Sequence, residues 1–572
     1  MRKGNHNGKI SVHAISGNHV ITLGLDATVK AMDGLLGFAI YRTSFATATE
    51  PEESYWLKGY KPFKEIFPNP VPGTFYSTLE HPVQSFTWAD FTAKPGQKYK
   101  FKIVPVYGSP KNLSYGDELE IKIETEKLEN SKHEIYFNRG VAASQAYVIK
   151  FGDKPPHKQP ENKKKEIYEW LSRGLFEAII RFIKQAKNSS YKLRVALYEL
   201  DYLPVMQELK AAQNKGVDVK IIYSDKAGES QSDDNEAVLF NAGFTLDDKQ
   251  TTFARKKSGG IFHNKFFILI KDNKPVQVFT GSTNISEGGI FGHSNVGHCL
   301  KDEAIAAKYL QYWEELKGDP SRDELDDKVE AIQGNILAEN IKNGVSVIFS
   351  PRKDDSMLDV YVNAFSKASQ LTNITLPFNL DTRFMTELDR KTDAVRYITL
   401  NKDKEPDTKK KGTEIILKEG MDYVQHFRGD GDVFIAPGGK IEEGWGQWLK
   451  ETLTGFNGSV VLYIHTKFML IDPLGDAPVI ITGSANFSEP SIDSNDENML
   501  IIKGNKRVAD IYLGEYFRIF DHLYFRYMVT KFFADDTEGG FLKSKSEEWL
   551  KSFKDPASGK FKRRVIFSFG FN

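Results

Sequence analysis

Two stretches of this chain repeat one set of polar side chains at one spacing. The first is His263-Asn264-Lys265, followed by the apolar run FFILI and then by Gly281-Ser282-Thr283-Asn284. The second is His465-Thr466-Lys467, followed by FMLID and then by Gly483-Ser484-Ala485-Asn486. The step from His to Asn is 21 residues in both. An imidazole attacks as a nucleophile or moves a proton near neutral pH. Ammonium and amide groups beside it neutralise and hydrogen-bond negative oxygen. Such a set suits attack on an anionic ester. Further on, SNVGHCL (294–300) aligns with SNDENML (494–500), pairing Asn295 with Asn495 and Gly297 with Glu497. The first loop is two residues longer. A lone His-x-Lys carries no weight, but two copies with identical downstream spacing do.

The elements that must position these groups alternate strand and helix. In a strand, residues i and i+2 share a face, so each His and its Lys point the same way. Core strands such as FFILI and FMLI have no packing use for His-x-Lys, so both histidines read as functional. Upstream of the first copy, LRVALYEL (193–200) reads as a strand and PVMQELKAAQNKG (204–216) as a helix opened by Pro and closed by Gly. VDVKIIYSD (217–225) is then the next strand, completing a βαβ unit. Upstream of the second copy, strand 345–351, helix 357–369 and strand 371–377 repeat the pattern. Residues 166–188 read as one amphipathic helix, with Ile167, Leu171, Leu175, Ile179 and Ile183 on one face. The Pro- and Lys-rich stretch 152–165 reads as a solvated linker, and 508–529 as an aromatic-rich helix packing between or over the lobes. A Lys-rich end, 551–564, closes the chain.

The paired motifs resemble those of the phospholipase D superfamily, HxKxxxxD followed by GSxN. The resemblance spans about 165–535. The second copy is complete, with Asp472 at the acidic position; the first has Ile270 there, and Asp272 falls in the turn KDNK. The resemblance implies an α/β fold of two tandem lobes, 131–340 and 341–572, forming one pseudo-two-fold active site within one chain. It also implies a metal-independent phosphodiesterase that works through a phosphohistidine and needs no cofactor. In that scheme His263 attacks phosphorus while His465 protonates the leaving alcohol and then activates the incoming nucleophile. Lys265 and Lys467 neutralise the non-bridging oxygens, and Asn284 and Asn486 donate to them. Glu497 is the expected partner of His465. Asp472, Ser282, Ser484, Asn295 and Asn495 support the site, the serines more as strand-end residues than as catalysts. The expected substrate is a phospholipid, hydrolysed or transferred to another alcohol. A nuclease acting on DNA or RNA is the alternative, and a non-catalytic phosphate-binding protein the third reading.

Residues 1–130 read as all-β. Tyr99, Phe101 and Ile103 alternate with Lys98, Lys100 and Lys102 after a Pro-Gly turn, and Trp88 lies just upstream. This resembles a fibronectin type III or other immunoglobulin-like β-sandwich. At about 130 residues it is expected to fold alone and to serve targeting rather than chemistry. Arg255-Lys256-Lys257 reads as a solvated loop more than as a steering patch, and His298 as structural, with a structural role open for His293 as well.

Composition narrows the class. The 572 residues carry 77 basic and 77 acidic side chains, which argues against a protein that coats nucleic acid nonspecifically. Hydrophobic residues at 40% and charged residues at 27% exclude disordered, collagenous and coiled-coil chains. A single cysteine, Cys299, excludes an internal disulfide and any Cys-rich zinc site. No run approaches the roughly 20 apolar residues of a bilayer span, so any membrane contact is expected to be peripheral. The opening MRKGNHNGKI has no apolar core behind it, and a cytoplasmic location is the expectation.

Overall fold

The computed structural model describes residues 1–70, 74–129, 131–140, 144–152, 154–378, 380–401, 423–427, 431–438, 464–532 and 540–569. Two seven-stranded mixed sheets dominate it. In the first, the strand order is His133–Phe137, Val296–Leu300, Lys274–Gly281, Lys265–Lys271, Tyr191–Leu197, Asp218–Ser224, Thr252–Arg255. In the second, it is Gly344–Ser350, Glu497–Lys503, Val479–Gly483, Phe468–Ile471, Leu371–Leu376, Val395–Leu400, Val433–Pro437. The pairings run antiparallel up to the βαβ strands and parallel beyond them in both sheets. The repeat seen in the motifs is therefore a repeat of whole lobes. Each sheet buries one face under its own helices and the other against a shared core. That shared core joins Phe266 and Ile268 of the first sheet, Phe468 and Leu470 of the second, and Tyr512, Tyr516 and Phe517 of the long helix Lys506–Phe532.

The segment read as one helix over 166–188 is two, Glu161–Ser172 and Leu175–Lys184. The break is at Arg173 and Gly174, both with left-handed φ, and the Arg173 guanidinium turns inward to Glu515 of the long helix at 2.8 Å. The Lys-rich half of the expected linker is the first turns of that earlier helix. The run at 255–257 divides. Arg255 is fully buried, with Nε bonding Asp496 at 2.9 Å and Nη1 bonding Asp319 at 2.9 Å, while Lys256 and Lys257 are exposed. A guanidinium enclosed by two carboxylates ties the lobes together, so the solvated-loop reading fails for Arg255.

The amino-terminal region forms two antiparallel sheets. One orders Arg2–His6, Ile10–Ser16, Ile21–Ala27 and Thr87–Asp90; the other centres on Gly37–Ser44 and Lys98–Ser109. Tyr99, Phe101 and Ile103 are buried while Lys98 is exposed, as the alternation requires. Its core is not self-contained. Trp549, Leu550 and Phe553 from the helix Ser546–Lys554 are part of it, and Trp549 Nε1 donates to the Leu35 carbonyl at 2.8 Å. Arg564 bonds Asp26, and Arg2 bonds Asp510 of the long helix at 2.8 Å. The carboxy-terminal helices thus belong physically to the sandwich. No helix of the described residues is long and apolar enough to cross a membrane.

Candidate active site

Each histidine stands just before its strand and is held by the opposite lobe. His263 N–H donates to the Asp496 carbonyl at 3.0 Å, and His465 N–H donates to the Ser294 carbonyl at 3.2 Å. Both acceptors lie in the segment that follows the other lobe's GSxN. The side chains follow suit. His263 Nδ1 bonds Glu497 at 2.9 and 3.0 Å, and His465 Nδ1 bonds Asn295 Oδ1 at 2.9 Å. Each lysine folds back onto its own histidine: Lys265 Nζ reaches the His263 carbonyl at 2.6 Å, and Lys467 Nζ the His465 carbonyl at 2.8 Å. This is the pseudo-two-fold arrangement that the resemblance implies, crossed between lobes.

Glu497 therefore serves His263, not His465 as expected. The lobes cross, so His465 faces the first lobe's counterpart of Glu497. The matching position in the first lobe is Gly297, and a Cβ there would lie 2.5 Å from Phe279 Cζ and 2.6 Å from Leu175 Cδ1. Among the described residues no carboxylate bonds His465, and the Asn295 amide stands in that place. Asn295 Nδ2 donates to the Gly289 carbonyl at 2.8 Å, so its Oδ1 must accept from His465 Nδ1–H. Both histidines thus keep Nδ1 protonated and leave Nε2 to react.

The other expected residues sort by distance. Ser282 and Ser484 accept the backbone N–H of Val296 and Asn498 at 3.1 and 3.0 Å, which locks each GSxN to the next strand. Ser282 also donates to Asn295. The motif glycines are needed for that contact, because a Cβ on Gly281 or Gly483 would sit 2.1 Å from a carbonyl oxygen of that strand. Asn495 Oδ1 accepts from Ile261 N–H, and its amide lies 3.4 Å from Glu497. Asn284 gives its amide donor to Glu199 at 2.6 Å. Glu199 lies at the end of a βαβ strand, where no motif marked it. The Oδ1 atoms of Asn284 and Asn486 are buried without a partner among the described residues. His298 bonds Tyr512 at 3.0 Å and His133 at 2.9 Å within the core, which is a structural role.

Asp472 does not reach the site. It lies seven positions after His465, past the strand Phe468–Ile471, roughly 20 Å away at about 3.3 Å per extended residue. Its carboxylate instead accepts the backbone N–H groups of Ser369, Gln370 and Leu371 at 2.8–3.1 Å. In the first lobe Asn188 Oδ1 takes the N–H of Ser190 at 3.0 Å, and Ile270 is simply core. Ile270 therefore leaves the first copy's site intact. Asp472→Asn should cost about 1–2 kcal/mol in urea unfolding yet leave the site geometry and any turnover within about threefold.

Burial shapes the charges. It pushes His263 down to about 4, against the pull of Glu497, and Lys265 down to about 7. His465 and Lys467 fall well below their ordinary values, first by burial and then by the neighbouring cations. Burial works against ionisation of Glu497, yet His263 and Lys265 hold it below the usual range. Two lysines and two imidazoles thus share the buried Glu497 and the half-buried Glu199, and an added anion favours their charged forms. Native His133, His263 and His293 stay neutral down to about 4, whereas an unfolded imidazole takes up a proton below about 6.5. Their contribution to stability is complete above about 6.5 and is lost as pH falls toward 4. Urea midpoints at pH 7 and pH 4.5 should show that fall.

A family model described as "Cardiolipin synthase, PLD-like domain" matches residues 179–317 and 435–520, one block in each lobe. Both lobes carry the phospholipase D-like fold. Among solved structures, phosphatidylserine synthase from Haemophilus influenzae Rd KW20 is similar at 13% identity over 69% of this chain and 93% of that one, with a TM-score of 0.42. The phospholipase D family member Nuc from Salmonella typhimurium is similar at 25% identity over 25% of this chain and 87% of that one, with a TM-score of 0.21. Yeast tyrosyl-DNA phosphodiesterase is similar at 12% identity over 60% of this chain and 88% of that one, with a TM-score of 0.32. No curated protein matches the chain.

Proposed function

We propose that this phospholipase D-like chain is a phosphodiesterase that works through a phosphohistidine on His263. One observation carries the reading: two buried imidazoles with unlike partners, Glu497 on one and Asn295 on the other, flanked by Lys265 and Lys467. Attack by His263 Nε2 on phosphorus makes its ring cationic, and Glu497 stabilises that charge as the bond forms. The bond to the leaving alcohol breaks, and its oxygen takes a proton from His465 Nε2. Water or a second alcohol then returns a proton to His465 and displaces His263 from phosphorus. Lys265 and Lys467 hold the non-bridging oxygens, and their charge deficit is relieved when the anion enters.

The substrate class we infer is a phospholipid, reached by peripheral contact with a lipid surface. Acidic side chains near the site support this over nucleic acid. Glu199 holds Asn284, and Glu199, Asp234 and Glu287 lie near enough to Asp201 that, with desolvation, their charges raise it to about 7 and leave them as the charged acids there. Acids in these positions repel the neighbouring phosphates of a polynucleotide. The test is turnover on phospholipid vesicles, single-stranded DNA, duplex DNA and RNA, each in EDTA. Release of the lipid head group alone is the expected result. Cleavage of nucleic acid alone makes the chain a nuclease, and activity that vanishes in EDTA removes the two-histidine mechanism.

A further inference from the structure

A third imidazole lies beside the pair, on a loop that the second lobe does not match. His293 follows the helical turn Gly288–Gly292 in the longer first-lobe loop, where the second lobe has Asp493. Its ring centroid is 5.6 Å from that of His465, with the planes at 46°. Its Nδ1 is buried and has no hydrogen-bond partner among the described residues. The loop is clamped rather than loose: Asn138 Nδ2 donates to the carbonyls of Ile290 and His293 at 2.9 and 2.6 Å, and Asn138 Oδ1 accepts the Asn295 N–H at 2.9 Å. Arg518 of the long helix fixes Asn138 in turn through its carbonyl at 2.8 Å. One clamp therefore places both neighbours of His465, the Asn295 amide and the His293 ring.

His465 has a need that this ring meets. A general acid must hold a proton when the substrate arrives, yet His465 has only an amide at Nδ1 and cations around it. Gly297 supplies no carboxylate such as its counterpart His263 enjoys. Among the described residues, the charged or titratable groups that face His293 are His465 and Lys467, and none of them is a carboxylate. Two imidazoles in contact titrate as a pair, so a proton drawn in by an anion can reside on either ring.

Building on the phosphodiesterase reading, we propose that His293 is a positioning residue that shares one proton with His465 and keeps it beside the leaving oxygen. On substrate binding the pair takes up one proton. The pair gives that proton to the alkoxide as the P–O bond breaks, and recovers one from the incoming water or alcohol.

The test combines binding and turnover in the full chain. Tungstate, a tetrahedral dianion that does not titrate near neutral pH, is bound calorimetrically in buffers of different ionisation enthalpy. At pH 7.5 the wild type should take up at least about half a proton more per tungstate than His293→Asn, the lysines contributing equally to both. His293→Asn should also lose at least about tenfold more turnover on an ester with an alkyl leaving group than on a nitrophenyl ester, whose leaving group needs no proton. His293→Gln repeats both measurements, and thermal melts show which variant is folded. Equal proton uptake by wild type and a folded variant, or equal losses on both esters, overturns the role of His293 while leaving the site reading intact. A wild type that binds no tungstate overturns both.

Discussion

His263→Ala should lower turnover by roughly 10⁴-fold or more and leave no trapped phosphoenzyme, whereas His465→Ala should lose a similar factor yet accumulate one. The two histidines look alike in the sequence, but their partners separate their roles. His263 bonds both oxygens of Glu497 and can accept the positive charge that P–N bond formation puts on its ring. His465 has a neutral amide at Nδ1 and cations around it, so it holds a transferable proton only while an anion is present. Without His465 the first step still proceeds on an ester with a good leaving group, because that oxygen departs unprotonated. The second step then stalls, since nothing activates water. Rapid alkaline denaturing quench of ³²P-labelled substrate, with the trapped label then lost in acid as a phosphoramidate requires, reads the difference. Label on His465 in the His263→Ala chain would reverse the assignment.

What the sequence made legible is what repetition encodes. Two His-x-Lys and two GSxN segments at equal spacing announced two lobes, and the sheets repeat strand for strand. The pairing between lobes was not legible, because no spacing along the chain reports that Glu497 crosses to His263. What decides it is the crossing of the lobes, where the His263 N–H meets the Asp496 carbonyl and the His465 N–H the Ser294 carbonyl. Asp472 misled for the opposite reason. It stands at the expected position of the motif, but a strand carries it roughly 20 Å away, where it caps a turn. Arg255 likewise looked like one of three solvated cations until Asp319 and Asp496 closed around it. Local polarity in a sequence says little about burial when the partner lies more than 200 residues away.

Deleting residues 1–130 should yield an insoluble or unfolded chain, although none of the site residues lies there. The sandwich has the length to fold alone, but the rest of the chain does not part from it cleanly. Trp549, Leu550 and Phe553 are buried in its core, and Phe86 stacks on Trp549 at 5.6 Å. Exposing those three side chains costs about 1.5–3 kcal/mol each, and Asp510 and Arg564 lose their partners Arg2 and Asp26. The sum, on the order of 5–10 kcal/mol, matches the whole stability of an ordinary domain. A second deletion distinguishes loss of folding from loss of chemistry. Removing residues 540–569 together with 1–130 takes away the orphaned aromatic surface as well, and should recover more soluble protein than the amino-terminal deletion alone. Soluble yield, thermal melts and nitrophenyl ester turnover are the measurements. A soluble 1–130 deletion with a full-length-like cooperative melt would show that the carboxy-terminal helices find other cover, and that the sandwich is a separable module.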